Sequence, residues 1–132
     1  MRFLLDTNIV SDLVRHPRGK ISKHISQVGE ADVCTSIIVA AELRYGASKK
    51  NSLRLTAQLE AVLGVFEVIA LEAPVDAVYG VIRASLERTG RPIGASDMLI
   101  AAHALALGLT VVTDNEREFS RIDGLRVENW LR

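Results

Sequence analysis

The sequence is poor in cysteine and in aromatic residues, and each shortage excludes a class of protein. Cys34 is the only cysteine, so the chain cannot form an internal disulfide or a multi-cysteine metal site. We expect Cys34 to be a small buried side chain, and a single cysteine gives no sign of an oxidising compartment. Aromatic residues make up only 5% of the chain, so its core must be mainly aliphatic.

The sequence also lacks a charge excess and a long hydrophobic run. Lysine and arginine together number 16, as do aspartate and glutamate, and this balance argues against strong nonspecific binding of nucleic acid by bulk charge. A local basic patch beside an acidic pocket is still compatible with it. No apolar stretch is long enough to span a membrane, and the N-terminus lacks the form of a signal peptide. We therefore expect a cytoplasmic protein that does not bind membranes.

The length and the hydrophobic pattern predict one α/β domain. A hydrophobic fraction of 48% over 132 residues is enough for a real core. Short aliphatic runs alternate with longer segments of helical periodicity, which is typical of a central, mostly parallel sheet. The predicted strands, four or five in number, are 2–5, 32–35, 67–71, 109–113 and a short one within 125–128. The predicted helices follow residue 6 up to the break at 16–19 and then cover 20–28, 37–47, 52–63, 74–88 and 97–107.

Four acidic residues, far apart in the sequence, lie near the ends of these predicted elements: Asp6, Glu42, Asp97 and Asp114. Asp6 and Asp114 follow apolar runs, and residues just past the carboxyl ends of parallel strands converge on one crevice. Gathering carboxylates in one place is costly unless a cation neutralises them. Because Mg²⁺ binds a few carboxylates together with water and substrate phosphates, the pattern predicts a metal-dependent phosphodiesterase.

Each acid taken alone also has an ordinary structural interpretation. Asp6 could cap the helix that follows it, Asp97 would gain from a helix dipole, and Asp114 could belong to a turn. Glu42 fits none of these roles, because it lies within a predicted helix in an apolar setting where an unpaired carboxylate is costly. The presence of all four acids at such positions favours a shared site.

Several short segments, taken in order, carry a family resemblance. They are Leu-Leu-Asp-Thr-Asn at 4–8, the stretch 36–47 with Glu-Leu-Arg-Tyr-Gly-Ala at its end, Gly-Arg-Pro-Ile-Gly at 90–94 with Asp97, Ala-Ala-His-Ala at 101–104, and the stretch 112–119. Their order and spacing resemble the PIN-domain ribonucleases, specifically the VapC toxins of bacterial toxin–antitoxin pairs. The resemblance implies that residues 1–132 form one PIN domain, a three-layer α/β/α fold.

The resemblance also implies an activity and partners. It is closest to the enteric-type VapC proteins, which cleave initiator tRNA in its anticodon stem-loop. It implies an endoribonuclease toxin that uses Mg²⁺ or Mn²⁺ to activate water, that acts on structured RNA such as tRNA, and that forms a homodimer and a complex with a VapB-like antitoxin.

The resemblance assigns roles to the acidic residues. Asp6, Glu42 and Asp97 match the central triad that binds the cation, and we expect Asp114 to be a fourth catalytic acid whose side chain points toward the crevice at Asp6. Many relatives carry this fourth acid at the position of Asn115.

Further residues are candidates for supporting roles. Glu118 is another acid that some relatives use, and it could reach the pocket if Asn115 begins a helix. Asn115 and Glu118 therefore form a possible outer site together with Thr7 and Thr113, which could orient carboxylates or water. The candidate RNA-binding residues are Arg44, Lys49, Lys50 and Arg91, because basic side chains hold the RNA backbone.

Three alternatives remain open from the residues alone. A phosphoacceptor receiver domain has a similar architecture, but it uses a lysine on a late strand, and every lysine here lies within 20–50. A haloacid-dehalogenase-type phosphatase has Asp-x-Asp after its first strand, where this chain has Asn8 as the third residue. A catalytically weak PIN-like domain that mainly binds protein or RNA predicts the loss of carboxylates, whereas Asp6, Glu42 and Asp97 are present.

Overall fold

A five-stranded sheet forms the centre of the molecule in the computed structural model, which describes residues 1–132. Its strands are β1 (Phe3–Leu5), β2 (Val33–Ser36), β3 (Glu67–Ile69), β4 (Thr110–Val112) and β5 (Val127–Glu128). They lie in the order β3-β2-β1-β4-β5, and every neighbouring pair is parallel. The predicted α/β fold with a central sheet is confirmed, and the sheet is parallel throughout.

Seven α-helices flank this sheet. They are α1 (Thr7–Arg15), α2 (Lys20–Val28), α3 (Ile37–Lys50), α4 (Leu53–Leu63), α5 (Val75–Arg88), α6 (Ala95–Leu107) and α7 (Glu116–Phe119), with a 3₁₀ turn at Glu30–Asp32. None of them is long and apolar enough to cross a bilayer.

The helices depart from the predicted bounds in two ways. Helix α3 continues past residue 47 to Lys50 and ends at Asn51, which has the left-handed conformation. The prediction stops early because the last turn is polar and exposed, so hydrophobic periodicity does not mark it. Helix α7 and the 3₁₀ turn are single turns, too short to show any periodicity.

Two strands are shorter than predicted. The predicted strand at 67–71 stops at Ile69, and that at 109–113 covers only Thr110–Val112.

The core is mainly aliphatic, as the composition predicts. All three residues of β1 are buried, which suits a central parallel strand covered on both faces. Helix α6 is buried along most of its length by small side chains such as Ala101, Ala102 and Ala104. Cys34 is buried in β2, as expected.

The strand order creates a crevice between β1 and β4. The chain runs from β1 through β2 to β3 on one side, and then returns to place β4 on the other side of β1. Connections that leave two adjacent strands in opposite directions open a gap at their carboxyl ends, where such folds bind ligands. Asp6 follows β1 at this point, and its backbone N–H donates to the Val112 carbonyl of β4 at 2.9 Å.

Candidate active site

Asp6 lies at the floor of the crevice and is only 3% exposed. Its Oδ1 accepts the backbone N–H of Thr7, and its Oδ2 accepts the Thr113 hydroxyl, both at 2.7 Å. Thr113 follows β4, so the second bond spans the gap between the strands. Burial raises the pKa of Asp6, although these two hydrogen bonds oppose the rise. Asp6 caps α1 and also presents a buried carboxylate to the crevice.

Glu42 reaches the same place from α3. Its Oε2 accepts the Thr7 hydroxyl at 3.1 Å, so Thr7 holds Asp6 through its backbone and Glu42 through its side chain. Glu42 Oε1 is buried and has no hydrogen-bond partner. A buried carboxylate oxygen without a partner carries its full desolvation cost, which a ligand would relieve.

Asp97 is the third residue of α6, and its surroundings place it in the same cluster. Burial, first of all, and the negative charges of Asp6, Glu118 and Glu42 together raise the pKa of Asp97 to about 6, against the opposing effect of a hydrogen bond from Asn115. The acids at these four positions therefore repel one another across one pocket. The predicted central triad of Asp6, Glu42 and Asp97 is brought together by residues 7, 113 and 115.

The two candidates for a fourth acid point to different places. Asp114 is exposed, and its Oδ1 accepts the Asn8 side-chain amide at 3.0 Å, so it lies at the rim of the crevice rather than beside Asp97. The charge of Asp114 raises the pKa of Asp6, and Asp114 is not among the acids that raise the pKa of Asp97. Asp114 therefore lies near Asp6, with its carboxylate exposed and bonded to Asn8, and its part as a fourth acid stays a prediction.

Glu118 instead lies beside Asp97. Asn115 stands at the N-cap position of α7, and that single turn brings Glu118 back over the pocket. The Asn115 amide donates to Glu118 Oε2 at 2.9 Å and also bonds Asp97. The buried Phe119 anchors the turn in the core.

The carboxylates fit a hard divalent cation by their chemistry. As they stand, no three Asp, Glu, His or Cys side chains converge closely enough to ligate one ion. Carboxylates that share a pocket repel one another when no cation neutralises them, and the charges of Asp6, Glu118 and Glu42 add to burial in raising the pKa of Asp97. Carboxylate and amide oxygens are the donors that Mg²⁺ and Mn²⁺ favour, and Glu42 Oε1 has a bonding capacity that nothing in the protein meets.

The candidate RNA-binding residues differ in whether their charged groups already have a partner within the protein. Arg44 donates two hydrogen bonds to Glu60, at 2.9 and 2.8 Å, so its guanidinium is engaged. Lys49 and Arg91 are exposed. Lys50 and Arg15 line a groove of about 180 Å³ that has Glu42 in its wall. Arg15 therefore shares a groove with Glu42, whereas the guanidinium of Arg44 is bonded to Glu60.

Comparison with known proteins gives the family. The PIN domain family model matches residues 3–125. The tRNA(fMet)-specific endonuclease VapC of Shigella flexneri is 37% identical over 131 residues, which are 98% of each chain. The crystal structure of DNA-bound VapBC from Salmonella typhimurium contains a chain that is 38% identical, with a TM-score of 0.91 and 98% of both chains covered. A chain of VapBC2 from Rickettsia felis, bound to a promoter DNA fragment, is 36% identical with a TM-score of 0.92, covering 98% of this chain and 99% of that one. The chain belongs to the PIN-domain family and, within it, to the VapC ribonucleases.

Proposed function

We propose that this protein is a Mg²⁺- or Mn²⁺-dependent endoribonuclease and the toxin of a VapBC-type toxin–antitoxin pair. The observation that carries the cation dependence is the cluster of buried Asp6 with half-buried Glu42 and Asp97, in which Glu42 Oε1 has no partner. Asp6, Glu42 and Asp97 would hold the cation, with Glu118 and Asn115 at the outer edge. Asp114, at the rim, has a smaller part in this proposal.

The residues of the chain prepare the site before any substrate arrives. Thr7 and Thr113 fix both oxygens of Asp6, and Thr7 also orients Glu42. When bound, the cation supplies Lewis acidity that activates water for in-line attack on phosphorus and stabilises the leaving oxygen, giving a 5′-phosphate and a 3′-hydroxyl. Because water is the attacking group, the reaction needs no protein nucleophile. None of the histidines takes part in the hydrogen bonds of the acidic cluster.

The proposed substrate is tRNA, and initiator tRNA is the specific target we favour. The support is the 37% identity to a relative named as a tRNA(fMet)-specific endonuclease. Lys50 and Arg15, in the groove beside Glu42, are placed to contact phosphates of the bound strand. Arg44 would join them only after it exchanges Glu60 for a phosphate.

The proposed partner is a VapB-like antitoxin, since the similar solved structures are VapBC complexes. An arginine from such a partner would neutralise the cluster by bidentate pairing with its carboxylates, which substitutes for the charge of the cation. We also propose a homodimer, for which the exposed side chains of Ile37 and Tyr45 on α3 offer apolar surface.

The test compares RNA cleavage by the wild type, Asp6→Asn and Asp76→Asn in Mn²⁺ and in EDTA. Asp76 lies on α5 outside the cluster, so its variant controls for the loss of one charge. We expect cleavage by the wild type and Asp76→Asn in Mn²⁺ only, none by Asp6→Asn, and growth arrest on expression of the two active proteins. Undiminished cleavage in EDTA would refute the mechanism, and RNA binding without cleavage under any condition would favour a binding module.

A further inference from the structure

A buried hydrogen-bond network joins the helices that carry Glu42 and Asp97. His103 on α6 is 1% exposed, and its Nδ1 lies 2.9 Å from the hydroxyl of Ser36, which is fully buried. Ser36 ends β2 and caps α3, because its Oγ accepts the backbone N–H of Ile38 at 3.0 Å. The imidazole also bonds the backbone of Ala70, just past β3. One side chain thus ties α6 to the start of α3 and to the end of β3.

The bonding pattern specifies where each proton lies. A neutral imidazole has one donor and one acceptor nitrogen, and at Ala70 only the carbonyl oxygen can accept from the ring. That bond uses the single N–H, so Nδ1 accepts and the Ser36 hydroxyl donates to it. Burial lowers the pKa of His103, which keeps the ring neutral. Protonation at Nδ1 would leave the Ser36 hydroxyl proton without this acceptor at a buried position.

The network lies at equal sequence distance from two acids of the site. Glu42 is six residues after Ser36, and Asp97 is six residues before His103. Six residues correspond to roughly 9 Å along each helix. A displacement of one helix against the other where Ser36 meets His103 therefore also displaces the two carboxylates.

The rest of the junction gives little direction to α6. Its start at Gly94 has no side-chain cap, and besides Met98 and Ile100 the apolar side chains that it buries are the small Ala101, Ala102 and Ala104. Apolar packing is non-directional, whereas a hydrogen bond requires one distance and one orientation. The bond between His103 and Ser36 is therefore the contact that can set the register of α6 against α3.

We propose that His103 and Ser36 are positioning residues whose bond fixes the separation of Glu42 and Asp97, and thereby the cation affinity of the site. The inference rests on the proposed function, because it requires these two carboxylates to share a cation. Neither His103 nor Ser36 touches the acids, so both act only through the helices.

The experiment measures Mn²⁺ affinity by titration with detection of free Mn²⁺ by electron paramagnetic resonance, well below the melting temperature of each protein. His103→Leu removes the acceptor, whereas His103→Asn keeps an oxygen near the position of Nδ1. Ser36→Ala removes the donor from the other side. Ile25→Ala is the stability control, because Ile25 is buried on α2, which contributes none of the site residues.

We expect His103→Leu and Ser36→Ala to weaken Mn²⁺ binding about tenfold, at the low end of the effect of residues that contact the ligands themselves, and His103→Asn to recover most of the affinity. Ile25→Ala should bind like the wild type despite a lower melting temperature. For RNA cleavage, kcat should fall in the two affected variants at subsaturating Mn²⁺ while KM for RNA stays unchanged. Nitrogen NMR of the wild type should show the Nε2-protonated tautomer of His103.

Two results would overturn the inference. The first is wild-type Mn²⁺ affinity in both folded variants, His103→Leu and Ser36→Ala. The second is a loss of affinity in Ile25→Ala as large as theirs, which would reduce the network to general stability. If His103→Leu fails to fold, Ser36→Ala and His103→Asn decide alone. A wild type that binds no Mn²⁺ would refute the proposed function together with this inference, whereas the two results above leave the proposed function intact.

Discussion

Asp97→Asn is the substitution whose outcome the site predicts most fully. Asp97 is partly buried and surrounded by the charges of Asp6, Glu118 and Glu42, which together with burial raise its pKa from 3.8 to about 6. Asparagine has nearly the same shape, keeps an oxygen that can accept from Asn115, and removes the charge. We therefore expect the variant to be more stable than the wild type in EDTA and inactive with cation.

The size of the stabilisation follows from the pKa. A rise of about two units corresponds to an upper limit of about 3 kcal/mol at 1.36 kcal/mol per unit. Asp97 is partly exposed, so solvent screening reduces the expected gain to about 1 kcal/mol. In a chain of this length that gain raises the melting temperature by roughly 4 °C.

The gain should depend on pH in a defined direction. A carboxyl group with a raised pKa in the folded protein binds more protons folded than unfolded between pH 3.8 and about 6. The contribution of Asp97 to the stability of the metal-free wild type therefore falls as pH rises through this window and is lowest above it. The asparagine of the variant does not titrate, so the two proteins should differ little near pH 4 and most above about pH 7.

The assay is urea unfolding of both proteins in EDTA at several pH values, repeated with saturating Mn²⁺. Cation should reverse the order, because at about 100 times its Kd it stabilises the wild type by about 2.7 kcal/mol, and the variant binds it poorly. A variant that is less stable than the wild type in EDTA at neutral pH, or a difference that does not change with pH, would refute the account of Asp97 as a repelled member of the cluster.

Three further predictions test the surroundings of the cluster. Thr113→Val should cost about 1–2 kcal/mol of stability and weaken Mn²⁺ binding, because Asp6 loses a hydrogen bond of 2.7 Å. The control is Thr35→Val, which loses a bond of the same length to the Leu5 carbonyl and should cost stability alone. Glu118→Ala should reduce the cleavage rate and Mn²⁺ affinity more than Asp114→Ala does, because Glu118 lies beside Asp97 and Asp114 bonds Asn8; equal effects in both assays would contradict this order. Glu60→Ala should lower KM for RNA about twofold and Arg44→Ala should raise it, since Arg44 is free to hold phosphate only without Glu60; an unchanged KM in both variants would remove Arg44 from the RNA-binding surface.

The fold class and the elements that carry the triad could be predicted from the order of the residues. Alternation of aliphatic runs with helical periodicity predicts a parallel α/β sheet, because strands buried on both faces read as continuous apolar segments. Asp6 could be placed at a crevice because residues after parallel strands share one edge of the sheet, and Glu42 stood out because a charge within an apolar helix needs a reason. These inferences depend on local pattern and on general topology, both of which are present in the order of the residues.

Which side chains meet in the site could not be predicted from the sequence. Asp114 and Glu118 are four residues apart, and one turn of helix anchored by Phe119 directs Glu118 to Asp97 while Asp114 turns to Asn8. The bond between Thr113 and Asp6 joins residues 107 positions apart, and the bond between Ser36 and His103 joins residues 67 positions apart. Arg44 is drawn to Glu60, 16 residues on, by the packing of α3 against α4. Hydrogen bonds act over about 3 Å and need one orientation, so they depend on side-chain placement that no periodicity in the sequence encodes.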